Sequence, residues 1–93
     1  MVMSCIHCYI SGKVQGVWFR QSALQRAEML GVVGWIRNLP DGRVECLACG
    51  EPAALVRFRD WLQEGPPAAR VEAVDCVPAT QPQPLPEQFE IRR

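Results

Sequence analysis

Val33-Gly34-Trp35-Ile36-Arg37-Asn38-Leu39-Pro40-Asp41-Gly42-Arg43-Val44-Glu45-Cys46-Leu47-Ala48-Cys49 is the stretch that decides how this chain folds. Val33 to Asn38 and Arg43 to Cys49 are two runs rich in strand-forming side chains. The four residues between them are a turn cluster: Pro40 presets φ, and Gly42 accepts positive φ. The spacing predicts a hairpin.

On the N-terminal side, Cys5 to Ser11 is rich in β-formers with partial alternation and reads as a first strand ending at Gly12. From Gln21 to Leu30, Ala23, Ala27 and Leu30 recur at i, i+4 and i+7 with Leu24 beside them, and Gly31 is placed to close a helix in the left-handed conformation. On the C-terminal side, Gly50-Glu51-Pro52 opens a second helix with proline in its first turn. Leu55, Phe58 and Leu62 form its buried stripe, and Gly65-Pro66-Pro67 stops it. Val71 to Val77 is a fourth strand. A proline-punctuated stretch from Pro78 to Pro86 leads to Phe89-Glu90-Ile91, which can add a short fifth strand at an edge. The order strand, helix, strand, strand, helix, strand is that of an α+β fold, the ferredoxin-like βαββαβ sandwich, with two helices on one face of an antiparallel sheet. That architecture hosts many unrelated functions, so activity has to be argued from a site.

With 93 residues, the chain is expected to form one domain spanning 1–93, large enough to bury roughly 60 to 65% of its unfolded surface. Ten basic side chains balance ten acidic ones. No global field therefore recruits nucleic acid or an anionic membrane, and any anion selectivity has to be local. Lys13 is the single lysine beside nine arginines, which favours directional contacts and equally suits a bias in base composition. No basic residue precedes Lys13, and Ser4 and His7 interrupt the apolar N-terminus, so it does not read as a secretory signal. No run approaches the ~20 apolar residues of a membrane span. A cytoplasmic protein is expected.

Between the first strand and the first helix runs Gly12-Lys13-Val14-Gln15-Gly16-Val17-Trp18-Phe19-Arg20. Two glycines let the backbone curl so that consecutive N–H groups converge, and the following helix adds the positive end of its dipole. Arg20 closes the loop with a planar fork that can grip two phosphate oxygens. In a ferredoxin-like sandwich the end of the second strand lies near this loop, which brings Asn38 beside the cradle. Its amide can accept from a water and donate to a phosphoryl oxygen, fixing the water for in-line attack. Taken singly, the loop is also a plain glycine-rich connection, Asn38 a turn residue ahead of Pro40, and Arg20 a surface arginine at a helix start. Their joint appearance favours a phosphate site.

These residues resemble the acylphosphatases. Gly12 to Arg20 is similar to that family's first signature, Gly-x-Val-Gln-Gly-Val-x-Phe-Arg, at every fixed position. Gly34-Trp35-Ile36-Arg37-Asn38 with Asp41-Gly42-Arg43-Val44-Glu45 resembles its second. Gly50, Gly65-Pro66, Val71 and Phe89-Glu90-Ile91-Arg92 also fall where the family has them, so the resemblance covers nearly the whole chain. It implies hydrolysis of the carboxyl-phosphate bond of small acyl phosphates without metal or cofactor. Carried over by position, Arg20 binds the phosphate with the backbone N–H groups of Gln15, Gly16, Val17, Trp18 and Phe19, and Asn38 orients the nucleophilic water. A monomer with a small-molecule substrate, and neither nucleic acid nor membrane as partner, is expected. Gln21-Ser22 stand where many members have an aromatic residue after the signature arginine, and Trp18 fills a variable position, which leaves the acyl-group preference open.

Five cysteines include two pairs at two-residue spacing, Cys5 with Cys8 and Cys46 with Cys49. Residues three apart on a strand point to opposite faces, so neither pair can ligate one metal ion from a regular strand. If the first and third strands are antiparallel neighbours and Cys5 faces Cys49, then Cys8 opposes Cys46, and Cys5 with Cys49 becomes a candidate disulfide. Cys76 is then left as the odd, core thiol, and His7 is expected to be a solvated strand residue. The competing reading is a non-catalytic ferredoxin-like module that binds a phosphorylated metabolite. RNA binding on the sheet face is disfavoured by zero net charge and by the lack of an aromatic RNP-type motif.

Overall fold

In a computed structural model that describes residues 3–93, the chain runs β1 (Ser4–Lys13), α1 (Phe19–Leu30), β2 (Val33–Asn38), β3 (Val44–Gly50), α2 (Pro52–Glu64), β4 (Arg70–Ala79) and β5 (Phe89–Arg92). Residues 1 and 2 of the expected 1–93 unit lie outside the described residues. The strands form one sheet in the order β4-β1-β3-β2-β5. At the hairpin turn the Leu39 N–H donates to the Arg43 carbonyl at 2.8 Å and the Gly42 N–H to the Leu39 carbonyl at 3.1 Å. The Asp41 carboxylate accepts from the Arg43 N–H at 3.0 Å and from its Nε at 2.8 Å, closing the turn from the side.

Two helices cover one face of the sheet, as the element order implies, but the sheet is mixed rather than antiparallel. β5 runs parallel to β2, with Gly34 opposite Phe89 and Ile36 opposite Ile91. The cause is the polarity of β4, which ends at the end of the sheet where β2 begins. A connection crossing there sets β5 down alongside β2 in the same direction. β4 continues through Pro78, a residue that an edge strand tolerates because its missing N–H costs no ladder bond on the outer side.

α1 begins two residues before the expected Gln21. Phe19, Ala23 and Ala27 are all buried at four-residue spacing, so the apolar stripe already starts at Phe19 and takes Arg20 into the first turn. Gly31 closes the helix in the left-handed conformation, its N–H reaching the carbonyls of Ala27 and Glu28. Leu55, Phe58 and Leu62 of α2 and the α1 stripe pack on Cys8, Ile10, Ile36, Val44, Cys46 and Ala48 from alternate positions of the three central strands. Each large apolar side chain buried this way contributes roughly 1.5 to 3 kcal/mol. Gly34 has a φ of 141°, and a Cβ there would overlap the Leu47 carbonyl oxygen, so no other residue fits in the β2 backbone at this point.

The other face of the sheet carries a charged cluster. Glu45 is only 6% exposed. It accepts from Arg37 Nε at 2.6 Å, His7 Nε2 at 2.7 Å and Tyr9 Oη at 3.2 Å. His7 is therefore a bonded partner of Glu45 rather than a solvated residue. The reason is register: His7 lies opposite Leu47 on β3, one alternate position from Glu45 on the same face. Cys5 and Cys49 face each other with Cα atoms 4.1 Å apart and sulfurs within bonding distance, and so do Cys8 and Cys76. Cys76 is thus not the odd thiol; Cys46 is, and it is buried. β1 lies between β3 and β4, so Cys8 is opposite Cys46 on one side and Cys76 on the other, and the sequence pattern alone does not choose between them. Burial and the adjacent Glu45 charge push the Cys46 thiol far above the ordinary thiol range.

Burial raises the Glu45 pKa, but the bonds from Arg37, His7 and Tyr9 outweigh it and hold the carboxyl below its usual 4.5. A depressed folded-state pKa stabilises the protein above the unfolded value, and that contribution is lost as pH falls through the folded one. Urea denaturation from pH 7 to pH 3 is therefore expected to show the stability gap between wild type and Glu45→Gln narrowing below about pH 4.5. A gap that stays constant across that range would contradict this account.

Candidate active site

β1 and β2 are both antiparallel to β3, and β5 is parallel to β2, so β1, β2 and β5 all run the same way. Their C-terminal ends meet at one end of the sheet, and α1 starts there as well. Val14, Val17 and Phe19 are buried and pin the loop between β1 and α1 to the core. Between these anchors Gly16 and Trp18 take left-handed backbone conformations, with φ of 73° and 66°. A left-handed tryptophan is uncommon and costs of order 1 to 3 kcal/mol, a strain of the kind stored at functional sites. The indole is 77% exposed, and no side chain caps the helix start at Trp18. Among the described residues, none of the loop and turn backbone hydrogen bonds is donated by an N–H from Gln15 to Trp18.

The Gln15 side chain faces the other way. Its Nε2 donates to the carbonyls of Leu39 at 2.8 Å and Arg43 at 2.9 Å, tying the loop to the hairpin turn. Sequence reasoning treated Gln15 only as a backbone donor. Its partners lie 24 and 28 residues away, beyond any local spacing signal.

Arg20, in the first turn of α1, reaches the end of β5, where its Nη1 lies 3.5 Å from the Arg92 carbonyl. Asn38 is the last residue of β2, and its Oδ1 is buried without a hydrogen-bond partner among the described residues. Both residues line one cavity of about 520 Å³, together with Gly16, Trp18, Ile91 and Arg93 among others. Of the residues singled out from the sequence, Gly16, Trp18, Phe19, Arg20 and Asn38 meet there; Gln15 and Val17 do not line it. Ile91 and Arg93 were missed, since only the direction of β5 brings them to this end. No Asp or Glu side chain lines the cavity, and among the described residues neither Arg20 nor Arg93 takes part in an ion pair. With the α1 N-terminus alongside, the cavity favours an anion.

A family model described as Acylphosphatase matches residues 6–91. The chain belongs to the acylphosphatase family. It is 60% identical over 77 residues to an acylphosphatase of Halorhodospira halophila, covering 83% of this chain and 84% of the relative. With an acylphosphatase of Nitrosococcus oceani it shares 47% identity over 98% of this chain and all of the other. The fold superposes on the solved acylphosphatase of Coxiella burnetii with a TM-score of 0.92 at 42% identity, covering 97% and 93% of the two chains. Acylphosphatases are hydrolases acting on acid anhydrides, and the family implies an acyl phosphate substrate.

Trp18, exposed at the rim of the cavity, supplies a direct probe. Titration with inorganic phosphate is expected to change the tryptophan emission saturably, and Trp18→Phe should remove that response. A flat titration would move the anion site elsewhere.

Proposed function

We propose that this chain hydrolyses the carboxyl-phosphate bond of small acyl phosphates, with the phosphate held by Arg20 and the backbone N–H groups of Gln15 to Phe19 and the attacking water oriented by Asn38. The water oxygen forms a bond to phosphorus, the bond from phosphorus to the acyl oxygen breaks, and its electron pair leaves with the carboxylate. Of the two water protons, one stays on the phosphate and the other passes to solvent or a phosphate oxygen. The leaving group is a resonance-stabilised carboxylate, so the step requires no strong general acid and no Lewis acid; an enzyme without metal or cofactor is the expectation. Phosphoryl transfer of this kind asks the protein mainly for positioning and for charge stabilisation of the equatorial oxygens.

The observation that carries this reading is the pairing, in one cavity lined by no Asp or Glu side chain, of an arginine without an ion pair and a buried amide oxygen without a hydrogen-bond partner among the described residues. The Arg20 contact to the Arg92 carbonyl is long and leaves the guanidinium free to turn to a phosphate. The orphan Asn38 oxygen suits a water proton as its donor. We read the protein further as a monomer acting in the cytoplasm, in keeping with its small-molecule substrate and balanced charge.

Benzoyl phosphate hydrolysis in the presence of chelator tests the assignment. Arg20→Ala and Asn38→Ala are each expected to lower kcat/KM by the equivalent of about 3 to 5 kcal/mol, or roughly two to four powers of ten. Wild-type protein that binds phosphate without hydrolysing benzoyl phosphate would select the binding-module reading instead. We also propose that Cys5 and Cys49 close as a disulfide, since the register sets them opposite each other on β1 and β3 with Cα atoms 4.1 Å apart. A peptide joining the two should appear in a non-reducing digest and vanish on reduction; identical masses before and after would exclude it.

A further inference from the structure

The cavity holds more than the proposed reaction uses. Its volume of about 520 Å³ exceeds what the smallest acyl phosphate fills, and a second arginine with no assigned task, Arg93, lines it. The parallel register places this residue. Gly34 lies opposite Phe89, Ile36 opposite Ile91 and Arg37 opposite Arg92; Asn38 and Arg93 are the residues that follow this last pair, and both line the cavity. Alternation along β5 puts Phe89 and Ile91 on one side, and Arg93 comes two residues after Ile91. Phe89 is buried in the core, Ile91 is partly exposed in the cavity wall, and Arg93 lines the same cavity.

The phosphate end of a substrate is already supplied with donors by the loop N–H groups, the α1 N-terminus and Arg20. Arg93 directly follows the outermost strand, on the far side of β2 from that loop and next to the Arg92 carbonyl that Arg20 approaches at 3.5 Å, and no Asp or Glu side chain lines the cavity around it. We propose that Arg93 is a specificity-determining residue that binds a carboxylate carried by the acyl group, so that the preferred substrates are acyl phosphates with a second, anionic end. The inference rests on the hydrolytic reading above. A guanidinium fork suits a planar carboxylate in a bidentate pair, and Trp18 and Ile91 give the intervening carbon skeleton an apolar wall.

The test compares 4-carboxybenzoyl phosphate with 4-methylbenzoyl phosphate, which have nearly the same shape and differ in the charge at the far end. The readout is the ratio of their kcat/KM values, in which intrinsic reactivity and any general loss of activity cancel between variants. Arg93→Gln is expected to lower the ratio about tenfold, as removal of a partly solvated charge-assisted pair should, while Arg93→Lys retains part of it. An unchanged ratio in a variant that still turns over 4-methylbenzoyl phosphate overturns the role of Arg93 alone, and assigns the arginine to the transferred phosphate or to the fold. Failure of the wild type to hydrolyse either compound overturns the reaction itself, and this inference with it.

Discussion

The tight turn from Leu39 to Gly42 sets the direction of the strands, and the place of the site follows from that direction. Because the turn forces β2 and β3 to be antiparallel, and β1 pairs antiparallel with the same β3, β1 and β2 must point the same way. Their ends, and with them the curled loop and Asn38, are thereby delivered to one end of the sheet. The Gln15 amide makes the coupling direct, since it binds two carbonyls of the turn. One side chain thus fixes the distance between the element that would hold an anion and the element that would hold a water. Preorganisation of this sort costs nothing at the moment of reaction, because the donors are already aimed.

The two faces of the sheet are held by different physics. Toward the helices the contacts are apolar and close-packed, with Phe58 against Phe89 at 5.6 Å and Phe19 against Trp61 at 5.5 Å between ring centroids. Phe19 directly follows the loop between β1 and α1 and belongs to this core, so loop geometry and core packing are a single problem. On the open face, Glu45 gathers Arg37, His7 and Tyr9, and the guanidinium of Arg37 also lies over the Trp35 ring at 5.6 Å. Arg37 directly precedes Asn38 on β2 and points to the opposite face. The charged cluster therefore fixes the backbone at the point from which the amide projects into the cavity.

Much of this was legible in the sequence where the information was local. The β2–β3 hairpin and the stop of α2 at Gly65 came from turn residues and caps, whose conformational preferences act over a few positions. The long ordered motifs of the family brought Arg20 and Asn38 forward. What stayed hidden depended on partners distant along the chain. The parallel setting of β5, and with it Ile91 and Arg93, follows from the way a proline-rich connection crosses the sheet, and no residue in that connection encodes a direction. The Gln15 amide, the bond from His7 to Glu45 and the placement of Cys76 opposite Cys8 all arise from register between strands far apart in sequence. α1 was drawn short because Trp18, in an unusual left-handed state for its type, disguises a helix that begins immediately after it.

The outer strands have a bearing on how copies of the chain meet. A sheet margin with free donors and acceptors invites another polypeptide to extend it, the first step toward fibrils. Here one margin, β4, contains Pro78, which offers no donor, and the other, β5, is four residues long and carries Glu90 and Arg92. Each border is thereby a poorer template for polymerisation than a long, unbroken apolar strand would be.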